Sequence, residues 1–191
     1  MEARKVQVKL FIESPAEVDI DPIVPVFHDW IRQKALDELL IDVTDYAHVH
    51  HAPALLLVGH GSDYAIDFTG GRAGLLYSRK REFPNGAEAT VKDAFVRALR
   101  AAKRLEGETS LPAPIRFRAD EILFRVNDRL LGPNTKETIA SVLPVVKSVA
   151  SAIYGGSAFT IEPEGTPREL LTLRIRAPGV SGLDTLLKRV D

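Results

Sequence analysis

Residues 54–79 read ALLLVGHGSDYAIDFTGGRAGLLYSR. Three apolar runs, ALLLV, YAIDF and GLLYS, are separated by two turns that contain glycine. ALLLV is continuous, as in a strand covered on both faces near the middle of a sheet. YAIDF and GLLYS are joined by FTGGRAG, where Gly70 and Gly71 supply the positive φ of a tight reversal. Successive strands joined by short turns run antiparallel. This stretch therefore predicts an antiparallel sheet, and the rest of the chain has to supply its neighbours and its cover.

Upstream, Val6, Val8, Leu10 and Ile12 alternate with Lys5, Gln7 and Lys9, the pattern of a half-buried strand. The proline-containing acidic stretch ESPAEVDIDP reads as a loop. A helix is predicted from Ile23 to Leu40, with Pro25 near its start and an apolar face of Phe27, Trp30, Ile31, Leu36, Leu39 and Leu40. DVTDYAHVHH reads as a loop. Downstream, Asn85 and Glu88 have the spacing of a capping box. The helix they open carries Val91, Ala94, Phe95, Ala98, Leu99, Ala102 and Leu105 as one stripe.

GETSLPAP reads as a linker. Beyond it, IRFRA and ILFRV read as two short strands. A second capping box, Asn134 with Glu137, opens a helix striped by Ile139, Val142, Leu143, Val146, Val149, Ala150 and Ile153. Pro144 should kink or break that helix, and Gly155 and Gly156 end it. AFTIE and ELLTLRIR are strands, and SGLDTLLKRV is a short terminal helix. The fold class expected is α+β, with mostly antiparallel sheet and four helices covering one face. Two α/β halves, residues 1–105 and 114–191, meet across a linker at 106–113 and can form one domain.

The 191 residues include 25 Lys and Arg, 26 Asp and Glu, five His and no Cys. The near-zero net charge gives no global attraction to nucleic acid or to anionic membrane. The absence of cysteine excludes disulfides, thiolate metal sites, iron–sulfur clusters and cysteine nucleophiles. The N-terminus has no signal-like apolar core, and no apolar run approaches the length of a membrane span. The expected location is cytoplasmic.

Four of the five histidines fall in HVHHAPALLLVGH, residues 48–60. On extended backbone His48 and His50 share a face, and H-x-H supplies two imidazoles to a divalent transition metal. Asp45, Asp42 or Asp63 would have to complete the set. His60 stands at the far end of the strand, about 30 Å from His50 along an extended chain. It belongs instead with Asp63 in the turn Gly-His-Gly-Ser-Asp. The plainer reading has loop histidines beside a buried strand and a turn whose Ser62 and Asp63 bond to backbone.

ALLLVGHGS resembles the opening strand of the sirohydrochlorin and cobalt chelatases, in which a strand runs into G-H-G-S. The resemblance implies metal binding by His60. It covers nine residues, and in that family the motif opens the domain and leads into a helix. Here fifty residues precede it and a strand is predicted to follow, so the match is read as coincidental.

Arg116 and Arg118 share a face of their strand, and Arg174 and Arg176 share a face of theirs. If the strands are neighbours, a basic sheet face results, with Arg125 near it, and it would bind phosphate. By contrast, residues 13–67 hold eleven acids against Arg32 and Lys34. This polarity suits self-association of acidic against basic surface. The proposed face lacks the aromatics of an RNA platform, so nucleic acid is not an expected partner. Walker A, G-x-G-x-x-G and G-x-S-x-G motifs are all missing. The function expected is that of a binding or assembly protein, without catalysis or cofactor, acting as a homodimer or with a protein partner and away from membranes. Two alternatives stand beside it: a metal-dependent protein using His48 and His50 or His60 and Asp63, and a phosphate or nucleic-acid binder using the strand arginines.

Overall fold

The computed structural model describes residues 4–13, 18–46, 54–81 and 83–190. The strands are β1 (Val6–Ile12), β2 (Leu40–Asp45), β3 (Leu55–Gly59), β4 (Ser62–Asp67), β5 (Gly74–Arg79), β6 (Phe117–Val126), β7 (Thr160–Glu164) and β8 (Leu171–Arg176). The helices are α1 (Ile23–Gln33), α2 (Ala87–Glu106), α3 (Lys136–Tyr154) and α4 (Leu183–Leu187). The fold is α+β. All eight strands form one open antiparallel sheet in the order β2-β3-β4-β5-β1-β6-β8-β7.

β1 joins the two parts of the chain. It pairs with β5 on one side and β6 on the other, so that Val8 lies between Tyr77 and Phe124. Its even-numbered side chains, Val6, Val8 and Leu10, are fully buried. They face the helical layer, where α2 crosses β1, β5 and β6. The α2 stripe of Val91, Ala94, Phe95, Ala98, Leu99 and Leu105 is buried as its spacing predicts. Phe95 stacks on Phe124 of β6 at 6.1 Å. α1 packs on β2 beside α2, held there by Trp30 Nε1 donating to Glu108 Oε1 at 2.7 Å. α3 and α4 pack on α2. All four helices therefore lie on one face of the sheet.

Local structure departs from the sequence reading at several points. α1 stops at Gln33 because Lys34 adopts a left-handed cap, φ 50°. Leu40, expected on that helix, opens β2 opposite Gly59. The acidic stretch after it, expected as loop, is that edge strand. IRFRA and ILFRV are one ten-residue strand, β6, in which Asp120 and Glu121 are strand residues where a break was expected. The N-caps sit one residue later than expected, at Gly86 without a side-chain bond and at Thr135, whose hydroxyl accepts from the Thr138 N–H. α3 runs through Pro144, and by length and composition it is apolar enough to cross a membrane.

Candidate functional site

Among the described residues the second face of the sheet carries no α-helix, and its residues follow from strand register. One row of cross-strand partners reads Ser78, Gln7, Arg125, Thr172 and Glu164, from β5 through β1, β6 and β8 to β7. The next row reads Leu76, Lys9, Leu123, Arg174 and Glu162. Beyond it lie Phe11, Glu121 and Arg176. Half-polar strands cover the helical core with one side and present these groups with the other.

Phe11, Leu76 and Leu123 are buried on this face although no helix covers them. Arginine stems and the 68–73 turn shield them. The Arg72 guanidinium lies 3.9 Å from the centre of the Phe11 ring, and Arg174 lies 5.2 Å from it. Arg72 grips Glu121 with two bonds of 2.8 Å each. Arg174 donates to the same Glu121 at 2.7 Å and clasps Glu164 with its other two nitrogens. Arg118 forks onto Asp120, and Arg176 reaches Glu162 at 2.6 Å. Arg72 and then Arg174 hold the Glu121 carboxyl down to about 2, against the upward push of burial.

Lys9 is fully buried in the middle of this layer. Its ammonium donates to Asp67 Oδ2 at 2.6 Å, to the Arg72 carbonyl at 2.7 Å and to the Thr69 carbonyl at 3.1 Å. Burial lowers its pKa, and Asp67 opposes that shift. All three protons have acceptors, so Lys9 clamps the 68–73 turn onto the sheet.

Arg125 differs from its neighbours. It is half-buried, and among the described residues no hydrogen bond or ion pair reaches its guanidinium. Burial lowers its pKa; Asp67 acts against that, Arg174 adds to it, and the Glu164 and Glu169 carboxylates act with Asp67 from a distance. Its direct neighbours across the ladder, Gln7 and Thr172, are uncharged.

The arginines singled out in the sequence are partly gathered here. Arg118, Arg174 and Arg176 surround Glu121, within 3.8 Å in each case. Arg116 precedes β6, and its guanidinium bonds the carbonyls of Glu106 and Ile115. β6 and β8 are neighbours, as a shared basic face requires, but each gathered arginine carries a carboxylate. Sequence reading missed Lys9, Asp67, Arg72 and Glu121. The signal available was Lys9 inside the alternating strand, which looks like a solvated charge until the turn that covers it is placed.

His48 and His50 lie outside the described residues. Asp45 ends the edge strand β2. His60 is exposed in the β3–β4 turn, its N–H bonded to the Leu39 carbonyl. Asp63 accepts from Lys80 Nζ at 2.6 Å and from the Gly59 N–H at 3.3 Å. Ser62 is bonded through N–H and hydroxyl to Glu38. Among the described residues no three His, Asp or Glu side chains gather as a metal-ligand group. The segment after GHGS is strand β4, whereas the chelatase motif leads into a helix. No family model matches the chain, and no curated protein matches it.

Proposed function

We propose that this chain is a non-catalytic binding protein, and that the helix-free sheet face takes an anionic group at Arg125. The observation that carries this reading is a half-buried arginine whose guanidinium has no hydrogen-bond or ion-pair partner among the described residues, inside a layer of ions that are otherwise paired there. Removing a guanidinium from water without replacing its hydrogen bonds is unfavourable. A carboxylate or phosphate would restore them, and its oxygens match the fork of N–H donors. Gln7 and Thr172 flank Arg125 in the row; Gln7 donates to Ser78 Oγ at 2.9 Å and the Thr172 hydroxyl donates to the Leu170 carbonyl at 3.0 Å, so both line the site with uncharged polar groups.

The charged groups around the site support binding over catalysis. Lys9 has no unassigned proton, and Glu121 remains ionised down to about pH 2 with arginines on its oxygens. Neither is placed to exchange a proton near neutral pH.

Titration with inorganic phosphate and with succinate, followed by arginine side-chain and backbone amide NMR, tests this. Saturable shifts are expected at Arg125 Nε–H and at the Gln7 and Thr172 amides. They should vanish in Arg125→Ala and survive in Arg176→Ala, which removes an exposed arginine of the same face. If neither anion gives a saturable shift at Arg125, the reading is wrong.

A further inference from the structure

The turn between β6 and α3 carries Leu130 and Leu131, which are 89% and 70% exposed. It is a built turn. Asp128 Oδ1 accepts the N–H groups of Leu130 at 3.1 Å and Leu131 at 2.9 Å. The Gly132 N–H donates to the Asp128 carbonyl, and the Asn127 N–H donates to the Lys5 carbonyl. Two adjacent leucines are thus held out in water by four hydrogen bonds that fix the backbone. Single exposed leucines are ordinary, but a rigid pair is a contact surface.

At the other end of the molecule lies an apolar pocket of about 370 Å³. Ile12, Val18, Ile23, Leu111, Pro114 and Ile115 line it. An engineered apolar cavity of about 150 Å³ accepts one benzene ring, so this space suits two leucine-sized groups. β1 and β6 connect the two features. Val6 pairs with Val126 at the leucine end, and Ile12 pairs with Phe117 at the pocket end. The ten residues of β6 separate them by about 30 Å.

The charges are complementary. Arg129 stands exposed in the leucine turn beside Leu130, while the Asp128 carboxylate of the same turn is directed onto the Leu130 and Leu131 N–H groups. Arg168 and Glu169 precede Leu170, which bridges to Pro133 of that turn, and the Glu169 carboxylate is directed onto the Thr166 N–H. The pocket is lined by Glu13 and Asp19, with the exposed Asp21 beside it. Arg116, which also lines it, is turned onto the carbonyls of Glu106 and Ile115.

We infer that copies of this chain associate head to tail, the Leu130–Leu131 turn of one seating in the Ile12–Ile115 pocket of the next. The contact is heterologous: an open chain keeps one unused turn at one end and one unused pocket at the other until a ring closes. It is independent of the anion site on the sheet face, which it leaves open.

Sedimentation velocity over a concentration series up to about 1 mM tests this, a range that covers weak contacts. The average mass of the wild-type chain should rise with concentration and fall back in salt. The double variant Leu130→Glu, Leu131→Glu disables the turn, and Ala113→Arg at the exposed pocket wall fills the pocket and repels Arg129. Each variant should keep its circular dichroism and sediment as a monomer. Mixed one to one, they should form a dimer and nothing larger, since each retains the half that the other lacks. A wild-type chain that stays monomeric throughout overturns the inference, as do folded variants that fail to pair or that associate like the wild type. Binding of the wild type to phosphatidylserine vesicles without self-association also overturns it, and assigns the leucines to a lipid surface.

Discussion

Lys9 and Asp67 form an ion pair of 2.6 Å in which the two side chains are 1% and 2% exposed. The pair closes a second bond, since the Thr69 hydroxyl donates to the other Asp67 oxygen at 2.6 Å. Removing one partner of such a pair leaves an uncompensated buried charge. Lys9→Met should lower unfolding free energy by about 3–5 kcal/mol in urea melts. Lys9→Met with Asp67→Asn should lower it by less than the two single changes added, because neither charge is then stranded. Additive losses would mean that the two side chains are not coupled.

Acid stability should depend on Glu121. Its folded-state pKa of about 2 lies below the ordinary 4.5, first because of Arg72 and then Arg174. A depressed carboxylate pKa contributes stability that is fully present above about pH 4.5 and is lost as pH falls through 2. The shift corresponds to about 3 kcal/mol. Glu121→Gln should therefore destabilise the protein at pH 7 and cease to matter near pH 2. Parallel urea melts from pH 7 to pH 2 measure the gap, and a gap independent of pH refutes the assignment.

The strands and helices of the core were legible because their periods were clean: two in Val6–Val8–Leu10, and 3.6 along the α2 stripe. The boundaries were not, and each miss has a local cause. Lys34 takes a left-handed cap with no glycine to announce it. β2 is an edge strand, so LIDVTD needs little apolar content to pair on one side only. Asp120 and Glu121 look like a strand break because carboxylates are rarely interior; here arginines from β8 and from the 68–73 turn neutralise Glu121. The same long-range pairing hid the candidate site. Arg174 and Arg176 were visible as a shared face, yet the partners that occupy them, and the lack of one at Arg125 among the described residues, depend on strands distant in sequence.

The glycine of the GHGS turn is explained by packing. A Cβ on Gly59 would meet the Ser62 carbonyl oxygen at 2.5 Å and Glu38 Oε2 at 2.8 Å. The first neighbour is backbone and cannot swing away. Gly59→Ala should cost about 1–3 kcal/mol, typical of overpacking, and should break the Glu38–Ser62 bonds that tie the 37–39 segment to β4. Glu38→Gln keeps the shape and should cost less. A Gly59→Ala protein as stable as the wild type would show that this turn has room to relax.

The two helix starts provide a contrast between residues that look alike in sequence. Asn85 and Asn134 each stand three residues before a glutamate, yet neither caps its helix. Asn85 is exposed, and α2 begins at Gly86 without a side-chain cap. Asn134 is buried, and its amide donates to the carbonyls of Glu164 at 3.3 Å and Thr166 at 3.0 Å. It therefore anchors the β7–β8 turn to the head of α3, where Thr135 does the capping. Asn85→Ala should change stability by no more than about 0.5 kcal/mol. Thr135→Ala should cost about 1 kcal/mol, the ordinary value of a lost N-cap. Asn134→Ala should cost about 1–3 kcal/mol, because two carbonyls lose their donor together. Hydrogen exchange separates the last two effects: Thr135→Ala should speed exchange in the first turn of α3, and Asn134→Ala should do so in residues 164–169. If Asn85→Ala proves the costliest of the three, α2 is capped by its side chain after all, and the register of that helix start would have to be redrawn.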